Sequence, residues 1–209
     1  MISKIADLVL NNLSDNNKIN SDHREIYAYA LENFISGLIT WIIFSLVAIL
    51  LKIPDRMIVF VAFYAPIRKY AGGFHAETRV GCLLLSLFST IFLIYMSILI
   101  SRSNMWYVGA ILCMLLSIIL IFAFAPVDHP NRRLSPKKKH LNRRVSRYIM
   151  IAESFLVIIG ILFFSEWKEY IVVASMALLL EGAVLIPYNK LPKEDKNHEK
   201  SKVISNKDV

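Results

Sequence analysis

Long uncharged apolar runs alternate along the chain with short polar stretches, most of them basic. Residues 80–100 and 105–127 contain no charged side chain, and each run is as long as the roughly 20 apolar residues that carry a helix across a bilayer core. Similar runs cover 34–51, 148–164 and 170–187, the last two interrupted only by Glu153 and Glu181. A sixth, 57–67, is short for a crossing and needs Arg68 and Lys69 to snorkel from its end, or a thinned bilayer. Near the start, Ile2, Ile5, Val9 and Leu13 recur at helical spacing, which predicts a short amphipathic helix lying on the membrane surface. That stretch lacks a basic leader followed by a clean apolar core, so it does not read as a cleaved signal peptide. The pattern predicts an all-α, polytopic integral membrane protein with about six transmembrane or partly inserted helices.

Composition agrees. Of 209 residues 56% are hydrophobic and only 19% charged, with a mean hydropathy of +0.52, which excludes an ordinary soluble domain. Two cysteines, Cys82 and Cys113, exclude a disulfide framework, and Cys113 sits in mid-run as a small apolar residue. The net charge of +8 fits membrane topology and anionic lipid heads and gives no reason to invoke nucleic acid.

Basic residues orient the chain. With six spans and both termini in the cytoplasm, the cytoplasmic side carries 20 Lys and Arg, and the outside carries four: Lys52, Arg56, Arg102 and Lys168. If 57–67 only dips in, the balance becomes 19 against five. Both arrangements keep 68–79 on the cytoplasmic side. The organisation expected is one membrane-embedded unit over 1–189, with an amphipathic N-terminal region at 1–33 and a basic cytoplasmic loop at 128–147. A charged tail, predicted to be disordered, follows at 190–209. The loop, with Lys137, Lys138 and Lys139 in succession, serves as a lipid-binding stop signal or as a dock for an acidic partner.

Candidate chemistry lies in residues 68–86, RKYAGGFHAETRVGCLLLS. A cysteine is a good nucleophile where its thiolate is accessible and supported by a histidine, a helix start or nearby cations. Thr78 is placed to cap a helix with Cys82 about one turn inside it, and Arg68, Lys69 and Arg79 surround the stretch with positive charge. His75 is the candidate base. In one unbroken helix seven residues rise about 10.5 Å, too far for a direct pair, so the chain must bend between them or His75 must fold back. Gly72 and Gly73 supply the backbone freedom for such a turn. The plainer alternative, an interfacial histidine and a small buried cysteine, stays open on these two residues alone. Metal ligands at binding spacing are lacking, as is a Gly-x-Ser-x-Gly elbow, so the chemistry calls for no metal and no cofactor.

Arg68, Gly72-Gly73, His75-Ala76 and Cys82 together resemble the signature of the AgrB family. The surrounding plan is similar too: an amphipathic start, short spans, and a basic loop after the fourth. The resemblance implies a membrane cysteine endopeptidase that processes an AgrD-type propeptide into a cyclic quorum-sensing peptide. It implies His75 as general base and Cys82 as nucleophile, and it marks Arg68 and Gly73 as positions that matter for activity. Cys82 would hold the peptide as a thioester, which an internal cysteine or serine opens to form a thiolactone or lactone. The substrate's amphipathic leader would bring it along the membrane, and a homodimer is compatible with this reading.

Three further residues enter as supporting candidates. Glu153 and Glu181 are carboxylates inside apolar spans, each about 8–9 Å from the cytoplasmic end, and charges at such depth default to function. They are placed to orient His75, pair with Arg68, or hold a positive group of the substrate; the plainer alternative is a structural pair or snorkelling carboxylates. Ser86, one turn beyond Cys82, either supports the thiol or bonds to its own backbone. Rival functions are a small transporter or exporter that uses Glu153 and Glu181, and a non-enzymatic sensor in which His75 and Cys82 are incidental.

Overall fold

The computed structural model describes residues 24–73, 78–127 and 135–186. All regular structure among them is helical: α1 (Arg24–Leu50), α2 (Pro54–Ala71), α3 (Arg79–Ser101), α4 (Trp106–Phe124), α5 (Pro136–Phe163) and α6 (Lys168–Val184), with a 3₁₀ turn at Ser165–Trp167. The amphipathic N-terminal helix expected from Ile2, Ile5, Val9 and Leu13, and the tail from residue 190, lie outside the described residues.

Four of these helices, α1, α3, α4 and α5, are long and apolar enough to cross a membrane. The uncertain segment 57–67 is the middle of the 18-residue α2, which starts on Pro54 at a position where its missing N–H costs nothing. At 1.5 Å per residue that helix is about 27 Å long, close to a hydrocarbon core, and Arg68 and Lys69 form its last turn. The basic stretch 128–147 is not a loop throughout. Ser135 accepts a hydrogen bond from the Lys138 N–H, Pro136 follows it, and residues from 136 onward are helical and run on into the apolar part of α5. The charges mark where this helix leaves the membrane rather than where it ends.

The bundle is organised around α6. Ile171 to Leu178, then Glu181 and Gly182, are buried on every side of this helix, which is why its apolar residues show no single face. It contacts α2, α3, α4 and α5. Small residues allow the close approach: a Cβ on Gly182 would stand 3.0 Å from Leu120 Cβ, and one on Gly160 would stand 3.0 Å from Ile171 Cγ1. α1 is peripheral and leaves Phe34, Trp41, Ile42 and Leu46 exposed to lipid.

Successive helices alternate in direction, so two ends are defined. At one end the α2 C-terminus meets the α3 N-terminus and the ends of α4 and α6. Val127 N–H donates to Ala71 O at 2.9 Å, tying α4 to α2. Arg147 of α5 donates to Phe122 O at 2.9 Å and lies over its ring. At the other end Arg56 pairs with Glu169, and Tyr170 O–H donates to Asp55 at 2.6 Å.

Candidate active site

The site is built where α2 stops. Gly72 (φ +75°) and Gly73 (φ +128°) both hold left-handed backbone, which side-chain-bearing residues rarely adopt. Space forbids a side chain as well. A Cβ on Gly72 would lie 2.5 Å from Val127 O, and one on Gly73 would fall on the Arg68 guanidinium and within 3.2 Å of Val184 Cγ1. The turn thus lets Arg68 fold over the chain end, where its Nη1 donates to Gly72 O at 2.8 Å.

The helix restarts at Arg79. The Thr78 hydroxyl accepts from Gly81 N–H at 3.1 Å, capping α3 as the sequence predicts. Cys82 donates its N–H to Thr78 O at 3.0 Å, one turn inside the helix start. Between the two helices, the described residues Gly72, Gly73 and Thr78 are non-helical. His75 itself lies outside the described residues.

Cys82 is half-buried and opens on a cavity of about 300 Å³. Arg68 and Tyr64 line it from α2, Ser86 and Ser89 from α3, and Leu180, Ala183 and Val184 from α6. The structure therefore brings Arg68 and Cys82 to one cavity from different helices. Ser86 donates to Cys82 O at 2.8 Å and Ser89 to Leu85 O at 2.6 Å, so both hydroxyls are committed to their own helix. Of the two roles weighed for Ser86, backbone bonding is the one adopted.

Behind Arg68 stands Glu181, fully buried, with Oε2 3.9 Å from Arg68 Nη1. Neither of its oxygens has a hydrogen-bond partner among the described residues, and the same holds for Glu153 Oε2. Glu153 is also buried and within electrostatic reach of Glu181. Of the alternatives open for the carboxylates, the pairing of Glu181 with Arg68 is realised. Lys137, Lys138 and Lys139 sit in the first turn of α5, the positive end of its dipole, where cations are disfavoured. Among the described residues no group of three His, Cys, Asp or Glu is disposed to hold a metal ion.

Tyr64 and the α6 residues Leu180 and Val184 were not singled out by sequence reasoning. Tyr64 carried a usable signal, since it precedes Arg68 by four residues and so shares its helix face. The α6 residues carried none, being ordinary members of an apolar run.

Fold and site together define a polytopic helical membrane protein with a largely apolar pocket, bearing Cys82 and Arg68, at one end of its bundle. The chain belongs to the AgrB family: the family described as accessory gene regulator B matches residues 2–185. An AgrB-like protein of Clostridium perfringens strain SM101 is 24% identical over 188 residues, covering 87% of each chain. An AgrB-like protein 2 of Clostridium perfringens strain 13 is 26% identical over 176 residues, covering 80% of this chain and 82% of its own. No solved structure matches. The family places the chain in the accessory gene regulator system.

Proposed function

We propose that this protein is a cysteine endopeptidase of the cell membrane that cleaves an AgrD-type propeptide and closes its product into a ring. The observation that carries the reading is that Cys82 opens on the cavity it shares with Arg68, a few residues from the segment that contains His75.

His75 takes the proton of the Cys82 thiol, and the sulfur attacks the carbonyl of the scissile peptide bond. A C–S bond forms as the C–N bond breaks, and the imidazolium returns its proton to the departing amine. The C-terminal segment leaves, and the remaining peptide is held as a thioester. An internal thiol or hydroxyl of that peptide then attacks the same carbonyl, gives up its proton to His75, and releases Cys82 as the ring closes. Exchange of one thioester for another is near energetic balance, so water must be excluded while the internal nucleophile is held in place. The cavity's apolar lining from α3 and α6 suits that need.

Arg68, held by Gly72 O and backed by Glu181, orients the substrate's carbonyl or carboxylate groups. Lys137, Lys138 and Lys139 receive the acidic tail of the propeptide at the cytoplasmic face, and residues 1–189 act as one catalytic unit. The experiment is cleavage of the cognate propeptide by the purified protein in vesicles. Release of the C-terminal segment is expected from wild type and from neither Cys82→Ala nor His75→Ala; release by Cys82→Ala would refute the assignment.

A further inference from the structure

The opposite end of the bundle holds a polar cavity that the proposed chemistry does not use. Cys82 lies one turn inside the start of α3 and Arg102 follows its end, 20 residues or about 30 Å away along the helix axis, so the two cavities face opposite sides of the membrane. This cavity, about 430 Å³, is lined by Lys52, Arg56, Arg102 and Lys168. These are all four of the basic residues that the sequence assigns to the outer side, gathered from two inter-helix connections and the starts of α2 and α6. Against the four cations the lining sets two carboxylates, Glu166 and Glu169, and Glu169 is engaged by Arg56. A cluster kept only for topology would have no reason to converge, and bringing like charges together costs energy unless an anion offsets it.

The backbone adds to this. Helix α2 begins here, and Ile53 offers no side-chain cap to its first amides. Lys52 follows the end of α1 in left-handed backbone (φ +57°), which fixes the chain's exit at the cavity rim.

What lies beside the cavity identifies the anion. From Ile53 the wall continues at Pro54 into an apolar groove of about 350 Å³ between α1 and α2, lined by Trp41, Phe44, Ala48 and Met57. On the other side Trp167, between Glu166 and Lys168, lines an apolar groove of about 380 Å³ with Phe63 and Phe164. A free phosphate has no use for apolar grooves, whereas a phospholipid needs a headgroup seat with acyl channels beside it. We propose that this end of the bundle is a binding site for an anionic phospholipid of the outer leaflet. Its phosphodiester sits among Lys52, Arg102 and Lys168, and its chains lie in the flanking grooves. The proposal is independent of the chemistry at Cys82.

The test uses the full chain, incubated with dioleoyl-phosphatidylglycerol or dioleoyl-phosphatidylcholine and exchanged into neutral detergent, with retained lipid counted by native mass spectrometry. Wild type is expected to retain the anionic lipid over the neutral one by roughly tenfold or more. Lys52→Gln/Arg102→Gln/Lys168→Gln should lose that preference. The charge-keeping Lys52→Arg/Arg102→Lys/Lys168→Arg should retain it, as should Lys137→Gln/Lys138→Gln/Lys139→Gln, which alters the other face. A photoreactive phosphatidylglycerol, needing no variant, should label wild type within 51–56, 95–102 or 166–169. Labelling confined to 136–147, an undiminished preference in the neutralised variant, or no preference in wild type would overturn the proposal. Equal stabilisation of lipid-free protein by inorganic phosphate would make this a free-anion site and overturn the lipid assignment.

Discussion

The guanidinium of Arg68 occupies the space that any side chain at Gly73 would need. One residue's requirement for glycine is thus set by another's position, and the left-handed backbone at Gly73 adds to it. Gly73→Ala must expel Arg68 from its bond to Gly72 O and strain the turn, at a cost of about 1–3 kcal/mol. Propeptide cleavage should fall by roughly tenfold or more, a loss larger than any fall in melting temperature explains. Gly37→Ala provides the contrast. Nothing lies within 4 Å of its added Cβ in the helix interior, so thermal stability should hold or rise by up to about 1 kcal/mol with activity unchanged.

The Arg68–Glu181 pair gives a second expectation. Arg68→Gln leaves a fully buried carboxylate without its cation, which should destabilise the protein by about 3 kcal/mol. Adding Glu181→Gln removes the orphaned charge and should restore a large part of the melting temperature without restoring cleavage. A double variant no more stable than Arg68→Gln would show that the two side chains are not coupled.

Lysines at the start of α5 predict activity and stability moving in opposite directions. Lys137→Gln/Lys138→Gln/Lys139→Gln removes cations from the positive end of a helix dipole, so thermal stability should hold or rise by a few tenths of a kcal/mol. The KM for a propeptide with an acidic tail should rise severalfold and lose its salt dependence, with kcat little changed. An unaltered KM would remove these lysines from the substrate path.

At the end of the bundle opposite Cys82, the Tyr170 hydroxyl bonded to Asp55, helped by the Arg56 charge, holds the Asp55 carboxyl below its usual range. A carboxyl depressed in the folded state contributes stability above its unfolded pKa of about 3.9, and that contribution disappears as pH falls through the folded value. Tyr170→Phe should therefore destabilise at neutral pH by at most about 1 kcal/mol, given how exposed the carboxylate is. The difference from wild type should shrink in melts below about pH 4. A difference that is the same at neutral and acid pH would mean that Tyr170 acts through packing alone.

Local chemistry was legible in the sequence and tertiary convergence was not. Thr78 four residues before Cys82 announced a cap, and Gly72-Gly73 announced a turn, because both act through neighbours in the chain. Ser135-Pro136 carried an equally local helix start, but the charges that follow it made the stretch read as loop. By contrast, nothing along α6 distinguished Val184, which touches the site, from Val172, which is buried in the core. In a bilayer protein apolar residues face both lipid and protein, so hydropathy does not separate the two. Glu181 was visible as an anomaly, while its choice of Arg68 over other partners depended on the fold.

In the proposed reaction Cys82 carries the peptide as a thioester. The most direct measurement is the intact mass of the full-length protein mixed with its cognate propeptide, beside Cys82→Ala, Cys82→Ser and Glu181→Gln. Wild type should gain the mass of the propeptide less its C-terminal segment, and hydroxylamine should remove that mass. Cys82→Ala should gain nothing, Cys82→Ser at most a hydroxylamine-resistant ester, and Glu181→Gln should still form the adduct. No adduct in wild type, with Glu181→Gln alone abolishing function in cells, would rule out the thioester and favour a transport role for the buried carboxylates.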